Sequence, residues 1–147
     1  MEVSINYLAV IVAAVAAMGL GFLWFGPLFG KQWKELMGWT GESMQQMNAG
    51  LAARGLSMNK IYAVQAVGAF IMAYVLAHSL VFASAYLNST GFSAGLMAGF
   101  WNWLGFIAPV TIGVVLWDGK PWKLWVLQSG YWLVNLLVMG VILALWM

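Results

Sequence analysis

The sequence predicts an all-α, polytopic membrane protein: four transmembrane helices, both termini outside the cell, and a short amphipathic cytoplasmic helix between the first and second spans. Three observations predict it. Of the 147 residues, 64% are hydrophobic and 7% charged, too few polar side chains to cover a soluble domain in water. Four stretches without a charged residue, Val3 to Phe25, Ile61 to Tyr86, Phe92 to Trp117 and Leu124 to Met147, are each long enough to cross a bilayer at 1.5 Å per residue. All 6 Lys and Arg lie in two connections: Lys31, Lys34, Arg54 and Lys60 between spans one and two, Lys120 and Lys123 between three and four. The positive-inside rule assigns both connections to the cytoplasm, and so one asymmetric bias argues against dual-topology insertion.

The expected organisation is a single unit, 1–147, with spans 3–27, 59–86, 92–117 and 122–147 and a cytoplasmic loop 30–57. The first residues carry no Lys or Arg, and the apolar run behind them is longer than a signal-peptide core, so the first span is expected to be retained. Span one carries Ala9, Ala13, Ala17 and Gly21 at steps of four, a ladder of small residues that lets a second helix approach closely. It stops at Trp24-Phe25-Gly26-Pro27-Leu28-Phe29-Gly30-Lys31, where Pro27 after a glycine is expected to kink or end the helix. Trp24 and Trp33 suit head-group depth, with Lys31 and Lys34 beyond them.

In the loop, Thr40 is positioned to cap a helix that turns Met44, Met47 and Leu51 to one face and Gln45, Gln46 and Asn48 to the other. Such a helix lies flat on a leaflet, with Gly55 as its stop and Ser57 as the cap of span two. Span two carries Ala66, Ala69, Ala73 and Ala77, and then the single histidine, His78. A short uncharged connection, Leu87 to Gly91, makes spans two and three a hairpin. Its Asn88-Ser89-Thr90 fits a glycosylation pattern, but so tight a turn beside a bilayer is a poor acceptor. Span three opens on Gly91, Gly95 and Gly99, the strongest close-packing signal in the chain. A kink is expected at Pro109, with Thr111 in reach of a freed carbonyl. Asp118-Gly119-Lys120-Pro121 makes the next turn inside a belt of Trp117, Trp122 and Trp125.

Counting residues from each span's middle places His78, Asn102 and Asn135 in one polar layer and Gln65, Thr111 and Gln128 in another. Two readings stay open. The layers are interhelical hydrogen bonds, or they line a pathway or small cavity with His78 as its proton-responsive member. Trp101, Trp103 and Trp132 lie deeper than an interfacial belt, where they either line an apolar cavity beside Asn102 or face lipid. Catalytic residues, cofactors and metal ligands are not expected: cysteine is absent, and neither paired carboxylates nor a nucleophile beside a base is present. Gly26 to Lys31 has the outline of a phosphate loop, one residue short and with Gln32 where a hydroxyl is needed. Six scattered basic residues make no patch for nucleic acid.

The Trp24-to-Lys31 run followed by Trp33, the Trp103-Leu104-Gly105-Phe106 stretch and the late Gly130-Tyr131 resemble a bacterial domain-of-unknown-function family of small four-span membrane proteins. The resemblance covers nearly the whole chain and implies a four-helix membrane protein, with no substrate, cofactor or catalytic residue to carry over. The functional expectation is a self-associating structural or accessory component of the inner membrane, a homo-oligomer joined through the seams on spans one and three. Its alternatives are a small-solute channel or transporter running past His78, Asn102 and Asn135, and a binder of lipid or a small hydrophobic ligand.

Overall fold

A computed structural model describes residues 4–146, so the expected ends of the first and last spans at Val3 and Met147 lie outside the described residues. Six helices follow one another, and no strand occurs among the described residues. They are α1 (Tyr7–Leu28), α2 (Gly30–Met37), α3 (Gly41–Ala53), α4 (Met58–Leu87), α5 (Gly91–Leu116) and α6 (Trp122–Leu145). Helices α1, α4, α5 and α6 are long and apolar enough to cross a membrane. Their outward faces are apolar too, with Val15, Phe22, Val64, Phe106 and Val110 all strongly exposed, a surface that suits lipid and not water. The chain is a multi-pass membrane protein.

Local chemistry sets the helix ends. The Asn6 carboxamide oxygen accepts from the backbone N–H groups of Leu8 and Ala9, at 3.1 and 3.2 Å, and starts α1. Thr40 and Ser43 form a reciprocal capping box at α3, and Ser57 Oγ accepts from the Lys60 N–H at α4, as the sequence leads one to expect. Gly38 and Gly55 end the two short helices with left-handed backbone, φ +74° and +71°, where a side chain would be strained.

The two expected breaks both take the form of a π turn. Around Pro27 the last turn of α1, Trp24–Leu28, widens and is closed by the Phe29 N–H on the Trp24 carbonyl at 2.9 Å. Proline has no N–H to give and its ring needs clearance from the preceding turn, both of which a widened turn supplies. The chain then restarts at once as α2, so 30–57 holds two helices and not one. Gly30 permits that restart, because a Cβ there would lie 2.6 Å from the Phe25 carbonyl oxygen. A second π turn, Trp103–Ile107, precedes Pro109 in α5, and the Thr111 hydroxyl bonds the Ile107 carbonyl at 2.8 Å.

Helix α6 is the hub, packing on α5, α1 and α4. The ladder of α1 is indeed a seam: Ala9, Ala13 and Ala17 are buried in the core with Ala69, Ala73 and Leu80 of α4 and Met139 and Leu143 of α6. Gly95 and Gly99 lie flat on the α6 backbone; a Cβ on Gly95 would meet the Gly140 carbonyl oxygen at 2.5 Å, and one on Gly99 that of Leu136 at 2.5 Å. Gly91 is not part of that seam. It has left-handed backbone, φ +71°, and open space where its Cβ would be, so it is a turn residue that lets the chain enter α5 after Asn88.

The two connections rich in Lys and Arg lie at one end of the bundle, where Lys120 Nζ donates to the Met37 carbonyl at 2.8 Å and ties them together. At the opposite end Asn6 Nδ2 donates to the Trp146 carbonyl at 3.0 Å, joining α1 to α6 across nearly the whole sequence.

Candidate functional site

The polar residues expected to form two layers are not joined in layers. His78 Nδ1 lies 2.9 Å from the Tyr74 carbonyl; a carbonyl only accepts, so this nitrogen holds the proton. Asn102 Nδ2 donates to the Ala98 carbonyl at 2.8 Å, and Asn135 Nδ2 donates to the Tyr131 hydroxyl at 3.0 Å. Each bond stays within one helix. In the second set, Gln65 is exposed and Gln128 half-buried, and neither shares a side-chain hydrogen bond with Thr111 among the described residues. For His78 and Asn102 the carbonyl four residues back takes the hydrogen bond that a partner on another helix would need.

The polar links between spans come instead from indoles. Trp103 Nε1 donates to the buried Ser129, to its carbonyl at 2.9 Å and its hydroxyl at 3.1 Å, and Trp125 Nε1 donates to the Thr111 hydroxyl at 3.2 Å. Both join α5 to α6. Ser129 went unread in the sequence, although it shares a helical face with Leu136, Gly140 and Leu143.

Two places remain as candidates for a working site. One is an aromatic cluster at the basic end, built by the motif around Pro27. Trp24 packs on Phe29 at 4.7 Å between ring centroids, Phe25 on Tyr131 at 4.8 Å and on Trp33 at 4.9 Å, and Trp33 on Trp39 at 4.9 Å. Gly21 lies under Tyr131, and a Cβ there would stand 3.0 Å from the hydroxyl. The cluster fastens the π turn and α2 to α6, and Gly26, Pro27 and Lys31 lie outside it, exposed. Trp24 Nε1 and Trp33 Nε1 are buried with no acceptor among the described residues. Asn135 Oδ1 is also buried, with no partner among the described residues.

The other candidate is a groove of about 390 Å³ between α4 and α5. Met72, Val75, Leu76 and Ser79 line one side, Asn102, Phe106 and Ile107 the other, with Leu136 of α6. Its origin is the asymmetry of α5, whose glycines draw one face onto α6 and away from α4. The π turn adds to it by advancing the register of Phe106 and Ile107; turns of this kind recur at functional sites. Trp101, Trp103 and Trp132 do not line the groove, contrary to the expected aromatic cavity. Trp101 is 60% exposed, Trp103 is held by Ser129, and Trp132 packs on Tyr131 at 4.9 Å.

Two of the lining residues carry a side-chain oxygen that receives no proton among the described residues. The Ser79 hydroxyl donates to the Val75 carbonyl at 3.1 Å, which commits its proton and leaves its lone pairs. Asn102 Oδ1 has no partner in any hydrogen bond among the described residues, since its amide bonds through nitrogen. No ionisable side chain lines the groove, and no group of three or more His, Cys, Asp or Glu that could hold a metal ion exists among the described residues.

Comparison with known proteins places the chain against one family model, described as Protein of unknown function (DUF1761), which matches residues 8–144. No curated protein and no solved structure matches it.

Proposed function

The chain belongs to this family of proteins of unknown function, and from its geometry we propose that it binds a small apolar molecule in the groove between α4 and α5, with no chemistry of its own. The groove itself carries the reading: at about 390 Å³ it falls in the usual size range of small-molecule sites, roughly 300 to 1,000 Å³. The groove suits a single chain or a compact ring system arriving sideways from lipid.

The other readings lose support. The seams that suggested a homo-oligomer, Ala13 and Ala17 of α1 and Gly95 and Gly99 of α5, are occupied within the chain. A pathway past His78, Asn102 and Asn135 has no hydrogen bond linking its members among the described residues. In this reading the basic connections face the cytoplasm, and the host is the inner membrane.

Native mass spectrometry of protein released gently from membranes tests the proposal. The wild type is expected to carry a constant extra mass, and Val75→Trp, which fills the groove from a lipid-facing position, to lose it while keeping its unfolding midpoint. A bare wild type, or the same mass on the variant, overturns the reading.

A further inference from the structure

Resting on the groove-binding reading, we propose that the ligand is a neutral apolar molecule bearing a hydroxyl, and that Asn102 and Ser79 receive that hydroxyl. Hydrogen-bond valence points this way. Ser79 has used its proton on the Val75 carbonyl and can only accept. Asn102 has used one of two Nδ2 protons on the Ala98 carbonyl, which leaves one proton and an oxygen that accepts. Together they offer two acceptor oxygens and one donor. A carbonyl, an ether or an ester brings acceptors only and leaves both oxygens unmatched, whereas a hydroxyl brings a proton for one of the two and an oxygen for the remaining Asn102 N–H.

Depth and charge narrow the class. Asn102 falls about 4 Å from the middle of its span by helical rise, where water is not at hand to satisfy a polar group and a partner must come from protein or ligand. The lining holds no Lys, Arg, Asp, Glu or His. A carboxylate, phosphate or ammonium head group would therefore be desolvated there without a counter-charge. Phosphate and ammonium head groups, which stay charged, are excluded on that ground, and apolar alcohols are not.

The test compares 1-dodecanol with dodecyl methyl ether, two probes that differ in the proton and not in the accepting oxygen. Both are titrated against detergent-solubilised wild type, Asn102→Leu, Ser79→Ala and Val75→Trp, with adducts counted by native mass spectrometry. The wild type is expected to favour the alcohol about tenfold, the effect of one hydrogen bond that water does not replace. Asn102→Leu is expected to cut the preference to less than about threefold, Ser79→Ala to reduce it by less, and Val75→Trp to remove both probes. Equal binding of alcohol and ether by the wild type, lost in Val75→Trp, overturns the hydroxyl while sparing the groove. Binding that survives Val75→Trp overturns the groove as well. A preference unchanged in both Asn102→Leu and Ser79→Ala overturns the two residues as its source; because the variants lie on different helices, a folding defect in one leaves the other to decide.

Discussion

Helix α5 packs against α6 without room for a methyl group, and against α4 with room for a small molecule. On the first face Gly95 and Gly99 lie on the backbone at Gly140 and Leu136; on the second, Asn102, Phe106 and Ile107 border a groove of about 390 Å³. In lipid no hydrophobic force closes such a space, because hydrocarbon tails fill it as well as side chains do. Close packing is therefore found only where small residues permit it, and one helix can be fixed on one side and open on the other.

Substitutions can break or sharpen that contrast. The largest effect is expected from Gly99→Leu, which forces a side chain into a backbone contact that has no flexible partner to yield; a loss of about 3 kcal/mol or more is expected in unfolding by denaturing detergent followed by helical circular dichroism. A near-normal midpoint would show that the tight face is not tight. Gly30→Ala puts a methyl group against the Phe25 carbonyl, and is expected to cost about 2 kcal/mol in the same assay and to change tryptophan fluorescence as Trp33 shifts. Ser129→Ala asks how much of the α5–α6 contact is polar. Trp103 keeps the Ser129 carbonyl as an acceptor, so only about 0.6 kcal/mol is expected, with a loss of several times that assigning more to the hydroxyl than the geometry does. Val75→Trp, across the open face, is expected to change stability by less than about 0.5 kcal/mol; a large destabilisation would mean that the groove is filled by protein in the working state.

What was legible in the sequence was what is decided locally. Thr40, Gly55 and Ser57 set helix ends through contacts within a few residues, and all three act as their positions suggest. Gly95 and Gly99 announced a close contact without naming its partner, since nothing in span three says that Gly140 of span four will meet them rather than a second molecule. Ala13, Ala17, Gly95 and Gly99 pack closely within the chain while Gly91 serves a turn, and neither that difference nor the partners could be read from the spacing. Helix α2 was hidden because its eight residues carry no capping side chain and follow a proline, the usual sign of a stop. The polar layers failed for a related reason: equal depth in two spans says nothing of rotation about each helix axis, and His78 and Asn102 each make their hydrogen bond within their own turn. The groove was beyond reach, because it is the gap left when two helices of a hairpin diverge and no single residue encodes it.

The central position of α6 has a consequence for the order of events at synthesis. It is the last of the four spans to leave the ribosome, yet α1 and α5 both bury their small-residue faces on it. Until it enters the membrane, Gly95 and Gly99 have no Gly140 or Leu136 to lie against, and the Asn6 carboxamide has no Trp146 carbonyl to hold. The first three spans wait as a cradle with its middle missing. A single late helix then closes the seams of two others and brings Trp146 to Asn6.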